Sequence, residues 1–130
     1  TMAWEGPQIK APGLTAAGDL STKQYYFVKL SAANQVNVCS ATTDKPYGVL
    51  QNAPAAAGDP AEVCVFGFTK VSGDANLAFG DSVGTSADGQ AAAYTVTDTT
   101  KYIVGVVQED NAAAGGLATI MFYGPGRVLA

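Results

Sequence analysis

Residues Tyr47–Gly67 read YGVLQNAPAAAGDPAEVCVFG, and residues Val104–Gly124 read VGVVQEDNAAAGGLATIMFYG. The second stretch follows the first without a gap at a shift of 105 − 48 = 57 residues. Gly48 becomes Gly105, Gln51 becomes Gln108, Gly58 becomes Gly115, Val63 becomes Ile120 and Phe66 becomes Tyr123. A unit of this size used twice is one supersecondary element duplicated. The copies share Gly, Val, Gln and an Ala-rich bend, the materials of strands and turns. They differ at Asn52-Ala53-Pro54 against Glu109-Asp110-Asn111. Partner contacts are therefore expected in these loops and in the N-terminal arm, and the shared part builds the frame.

Upstream of the first copy, Gln24–Leu30 (QYYFVKL) is rich in Tyr, Phe and Val and predicts a strand. Val36–Cys39 predicts its hairpin partner across a turn at Ala33-Asn34-Gln35. Tyr47–Gln51 and Glu62–Val71 predict two more strands, with Gly67 marking a bulge or a close backbone approach. The second half repeats the plan with strands expected at Leu77–Val83, Ala91–Thr97, Tyr102–Gln108 and Leu117–Tyr123. Asp88-Gly89 is a hairpin-turn signal between the first two of these. No stretch of ten residues holds a helical period. Many short strands with closely spaced turns predict an all-β fold, a compact β-barrel or β-sandwich of two strand–turn–strand halves. The duplication suggests a pseudo-two-fold relation and one shared core.

Residues 1–18 stand apart as an extended N-terminal arm. Pro7 and Pro12 exclude a regular helix or a central strand there, and Trp4, Ile9 and Leu14 supply apolar side chains at intervals. The remainder, 19–130, reads as a single β domain whose halves divide near residues 73 and 74. Trp4, Ile9 and Leu14 are candidate partner anchors. Tyr25 joins them, because in QYYFVKL the face carrying Tyr25 and Phe27 opposes the face carrying Tyr26.

The chain has 130 residues, enough for one domain. Charged residues make up 14%, well below the usual quarter, so part of the surface is either covered by other chains or built from Ala, Ser, Thr and Gly. The net charge is −4 and the basic residues are scattered singly, which argues against nucleic-acid binding. No apolar run reaches the length of a bilayer-crossing helix, and no signal-peptide pattern is visible. No membrane partner is expected.

Catalysis and cofactors are not expected either. With no His, Ser-His-Asp and Cys-His arrangements have no base. Cys39 and Cys64 read as buried reduced thiols, with a disulfide between them the alternative, and two Cys alone do not fill a zinc shell. The acidic residues sit mostly beside Gly, Pro or Thr, where Asp stabilises turns.

Taken in order, LSTKQYYFVKL (Leu20–Leu30), KPYGVLQNAPAAAG (Lys45–Gly58), AEVCVFGFTKV (Ala61–Val71), GDSVGTSADGQ (Gly80–Gln90) and IVGVVQEDNAAAGGLATI (Ile103–Ile120) carry a resemblance. The chain resembles the small capsid decoration, or cement, proteins of tailed bacteriophages from about Leu20 onward. The resemblance implies a non-enzymatic virion protein on the outer capsid surface that stabilises the major capsid protein lattice. It also implies self-association as a homotrimer, and it carries over no catalytic, cofactor or metal residue. The alternatives are a carbohydrate-binding module, in which Trp4, Tyr25, Tyr47 and Tyr94 would stack on sugars, or a tail or baseplate part.

Overall fold

The computed structural model describes residues 3–94, 101–111 and 113–123. Ten strands follow one another: β1 (Gln8–Ala11), β2 (Thr15–Ala16), β3 (Phe27–Ala32), β4 (Gln35–Val38), β5 (Gly48–Leu50), β6 (Val63–Ser72), β7 (Ser82–Thr85), β8 (Ala91–Ala93), β9 (Gly105–Glu109) and β10 (Leu117–Phe122). There is no helix among the described residues. The strands pair in the order β2-β4-β3-β5-β6-β10-β9-β7-β8, with β1 also on β6. The β2–β4 pair is parallel and the others are antiparallel. The whole path is not closed into one barrel.

The repeat in sequence is a repeat in register. Val49 pairs with Cys64 and Leu50 with Val63; 57 residues on, Val106 pairs with Met121 and Val107 with Ile120. The preceding hairpin repeats at a shift of 83 − 28 = 55: Val28↔Val38 and Lys29↔Asn37 become Val83↔Ala93 and Gly84↔Ala92. The equivalence extends upstream of the predicted boundary. Ala16 pairs in parallel with Val36, and Gly73 bridges in parallel to Ala91. The arm therefore supplies the opening strand of the first unit, and the second half of β6 is its counterpart in the second. In unit 1 the pairings run β2, β4, β3, β5, β6 and β1, and Thr15 of β2 bridges to Pro60 just ahead of β6, which brings the path back on itself as a ring. Unit 2 runs β8, β7, β9, β10 and the end of β6, which returns to β8 through Gly73.

Each ring encloses its own core, so the expectation of one shared core is corrected to two. The unit 1 core holds Leu14, Leu20, Val28, Val36, Leu50, Ala61 and Val63. The unit 2 core holds their counterparts Val71, Leu77, Val83, Ala91, Val107, Ala118 and Ile120. Phe27, Cys39 and Val49, on the outer face of unit 1, are buried in the unit 2 core, where Phe27 packs on Phe122. Their counterparts Ser82, Tyr94 and Val106 are half-buried and belong to neither core. A two-fold axis requires a reciprocal contact. This contact is one-sided, so the units stack head to tail and the expected pseudo-two-fold is not formed. Phe27 donates its N–H to Gly89 O (2.8 Å), docking the β7–β8 hairpin on unit 1.

Two strand expectations shift for local reasons. Residues 77–81 form a turn instead of a strand, because side-chain oxygens of Asn111, Asp81 and Asp110 accept the N–H groups of Leu77, Ala78 and Phe79. Tyr25 adopts a left-handed φ of 68°, so β3 starts only at Phe27. The predicted turns at Asn34 and Asp88-Gly89 are present, with Asn34 at φ 57° and Gly89 at φ 88°. Gly67 meets the expectation of a close approach: at φ 126° a Cβ there would collide with Pro7 O and lie 2.8 Å from Gln8 Cα. Residues 95–100 and 124–130, which include the end of the predicted Ala91–Thr97 strand, lie outside the described residues.

Gly48 and Gly105 are repeat equivalents with no room for a side chain, since a Cβ would run into Cys64 O and Met121 O respectively. Gly48→Ala and Gly105→Ala should each lower stability by about 1–3 kcal/mol, read as a reduced urea midpoint. Tolerance at either position would contradict the close approach. Cys39 and Cys64 are free and buried. Burial, with the Asp44 charge adding to it, pushes the Cys39 thiol up to about 12, and burial raises Cys64 as well. Neither thiol should react with a disulfide reagent at neutral pH until the chain is unfolded; fast labelling of the native protein would contradict this packing.

Candidate docking surface

The arm brings an apolar row to the surface over the middle of the sheet. Ile9 on β1 is the register partner of Phe66 on β6. Gln8 and Phe122 both pair with Gly67, so Tyr123 continues the row past β10. These three residues hold one position of the repeat, since 66 − 9 = 57 and 123 − 66 = 57. All are exposed, Ile9 by 61%, Phe66 by 45% and Tyr123 by 44%. A large apolar side chain at the same exposed place three times is not the scatter of single apolar residues normal on a surface. Beside Ile9 and Phe66 an open pocket of about 270 Å³ is lined by these two residues with Pro7, Gln8, Gly67, Phe68 and Met121.

Trp4 flanks the row. Its ring packs on Phe68 at 5.6 Å between centroids. Its backbone is fixed at both ends by one buried hydroxyl: Trp4 N–H donates to Thr119 Oγ1 (2.6 Å), and that hydroxyl donates to Trp4 O (2.8 Å). The indole remains 37% exposed. Tyr25 is half-buried beside this segment. Its hydroxyl donates to Glu5 (3.4 Å), and the Lys70 ammonium sits 5.8 Å from its ring centroid. Burial, then the Glu5 charge, raises its phenol above the ordinary range. Its counterpart in unit 2 is Gly80, also at positive φ (85°), and both donate backbone N–H in the same way, Tyr25 to Leu50 O and Gly80 to Val107 O. A bulky residue in this region costs of order 1–3 kcal/mol, which the glycine avoids.

Of the four predicted anchors, the structure brings Trp4, Ile9 and Tyr25 to the surface along β1 and β6. Leu14 does not join them. It is 6% exposed in the unit 1 core, which leaves it no surface to offer a partner. Phe66, Met121 and Tyr123 escaped the sequence reading because alternation alone does not say which face of β6 is covered. The 57-residue spacing of Ile9, Phe66 and Tyr123 was the available signal. The four aromatics considered for sugar stacking sit on different elements. Tyr47 packs against the unit 1 core, and the Tyr94 hydroxyl donates to Thr85 O (2.7 Å).

Several of the described carboxylates are engaged in turns. Asp19 accepts from Ser21 N–H, Asp59 from Ala56 N–H and Asp88 from Gln90 N–H. Burial would raise Asp44, but hydrogen bonds from Lys29 and from the N–H groups of Ser40 and Ala41 outweigh it and hold the carboxyl below the usual range. Among the described residues no group of three or more His, Cys, Asp or Glu gathers as a metal site.

This geometry defines a class: an all-β protein of two stacked units with an apolar surface row. The same fold occurs in two solved structures from phage heads. One is the N base of the head fibre gp8.5 of bacteriophage phi29, with a TM-score of 0.53, 16% identity, 89% of this chain covered and 92% of that one. The other is a chain from the capsid of Myoviridae phage XM1, with a TM-score of 0.60, 18% identity, 92% of this chain covered and 84% of that one. No protein-family model matches the chain, and no curated protein does. At these identities the likeness is one of fold.

The surface row and the core should separate on substitution. The double variant Ile9→Ser/Phe66→Ser should keep the unfolding free energy from urea titration within about 0.5 kcal/mol per site. Leu14→Ala should cost about 2–5 kcal/mol. A large loss in the double variant would show that the row is internal packing.

Proposed function

We propose that the chain is a decoration protein of a bacteriophage head, seated on the outer surface of the shell and binding the major capsid protein. The row of Ile9, Phe66 and Tyr123 carries this reading, because three equivalent apolar side chains each stay exposed by 44% or more. The fold shared with a head fibre base and a capsid chain supports it. The function is mechanical. An apolar centre flanked by an aromatic anchor, here Trp4, is the kind of surface in which a few side chains supply most of the affinity. Copies repeated over a shell would add avidity to a modest single contact. The protein would act by binding alone and would also associate with itself, the homotrimer being the proposed state. No observation in the structure favours the carbohydrate-binding or tail alternatives.

Removing residues 1–13 would not isolate the arm's role, because β1 is a paired strand of unit 1. Point variants do. Purified protein mixed with undecorated capsids and imaged should give added density on the outer surface. Ile9→Ser/Phe66→Ser and Trp4→Ala should weaken attachment by about ten-fold or more while remaining folded. Wild-type protein that leaves the shells bare would overturn the reading.

A further inference from the structure

A second surface feature lies away from the row, at the start of unit 2. Phe79 is 75% exposed, the highest value among the large hydrophobic residues described. It stands on a turn that is held rigidly. The three consecutive N–H groups of Leu77, Ala78 and Phe79 donate to Asn111 Oδ1 (2.6 Å), Asp81 Oδ2 (3.0 Å) and Asp110 Oδ1 (2.7 Å). Asn111 is itself buried, and its amide donates to Ala75 O and Ala113 O. The equivalent turn of unit 1 carries Gln24 at this place, since 24 + 55 = 79. Unit 2 alone has a fixed aromatic knob, and it is flanked by two carboxylates with no ion pair among the described residues.

Unit 1 carries the complement. Leu30, Lys45, Pro46 and Tyr47 line an open, mostly apolar pocket of about 340 Å³. A cavity of roughly 150 Å³ is already enough to take a benzene ring. Leu30 is 50% exposed there, and Lys45 is exposed with no ion pair among the described residues. Beside it Lys29 is already engaged by Asp44 at 2.9 Å, which leaves Lys45 as the cation at the mouth.

We propose that Phe79 of one copy inserts into the Leu30–Lys45–Pro46–Tyr47 pocket of a second copy, with Lys45 meeting Asp81 and Asp110. An apolar knob between two acids fits an apolar pocket beside a base, so shape and charge name the same partner. Knob and pocket lie on different units of the chain. The contact is heterologous, and successive copies close into a ring or run on as a filament. This deepens the self-association in the functional reading above and supplies its contact. Testing it needs no capsids, so failure to bind a shell and failure of this contact are told apart.

The test is sedimentation of the purified chain over a concentration series. Wild-type protein should associate, and Phe79→Ser or Lys45→Glu should each weaken association by about ten-fold or more. Leu30→Arg should block the pocket. Phe79→Ser and Leu30→Arg should each sediment as monomers alone but form a heterodimer when mixed, because one intact knob then meets one intact pocket. Thermal melts confirm that these surface variants fold. Wild-type protein that stays monomeric throughout, or association unchanged in both Phe79→Ser and Lys45→Glu, overturns the proposal. So does a mixture of the two monomeric variants that fails to combine.

Discussion

β6 belongs to two units at once, and the rest of the structure depends on that. Its first residues pair with β5 and β1 and close the first ring; its last residues pair with β10 and open the second. A ten-residue strand spans both because Gly67, in the middle, takes a φ that other residues rarely adopt and lets Pro7 and Gln8 approach closely. The crossover converts a tandem repeat into a head-to-tail stack. It also decides what is covered. The outer face of unit 1 becomes part of the unit 2 core, and the corresponding face of unit 2 is left half-buried with Ser82 where unit 1 has Phe27.

The surface row is a consequence of the same geometry. Residues at the bend of the crossover strand and at the matching points of β1 and β10 lie together, outside both rings. Ile9, Phe66 and Tyr123 are apolar at a place where packing does not ask for it. The cores account for the buried apolar residues at equivalent positions, but not for these three. The row is therefore the feature of the molecule that calls for a partner. The Phe79 knob is a separate feature on the 77–81 turn, which Asp110 and Asn111 of the divergent loop hold in place.

Much of the fold was legible in the sequence. The 57-residue shift named the duplicated strands, and it held to the level of register because side-chain alternation fixes which residue faces which. The Asn34 and Gly89 turns were readable from turn chemistry. The pairing of residues 8–16 with unit 1 is less legible, because the Pro12-Gly13 break hides the fact that Leu14, Ala16 and Leu20 repeat at Val71, Gly73 and Leu77. The head-to-tail stacking was not readable at all. Duplication says that two units exist, whereas their mutual orientation depends on which outer face is apolar, and only packing shows that Phe27, Cys39 and Val49 serve the neighbouring core. At the site, Trp4 and Ile9 are legible as apolar residues in a Pro-broken segment and Tyr25 from strand alternation, while the link of Phe66 and Tyr123 to Ile9 lies in the 57-residue spacing and is made plain by the register. The structure explains how Tyr25 is held; it gives no packing reason for a tyrosine where the other unit uses Gly80.

The proposed role requires the row to be the face that meets the shell. Hydrogen exchange of the chain, free and bound to undecorated capsids, tests this most directly. The amides of residues 4–9 and 66–68 should gain protection on binding, while the interior strands β5 and β9 should stay as slow as in the free chain. Protection gained only at surfaces remote from β1 and the middle of β6, with residues 4–9 and 66–68 unchanged, would contradict it.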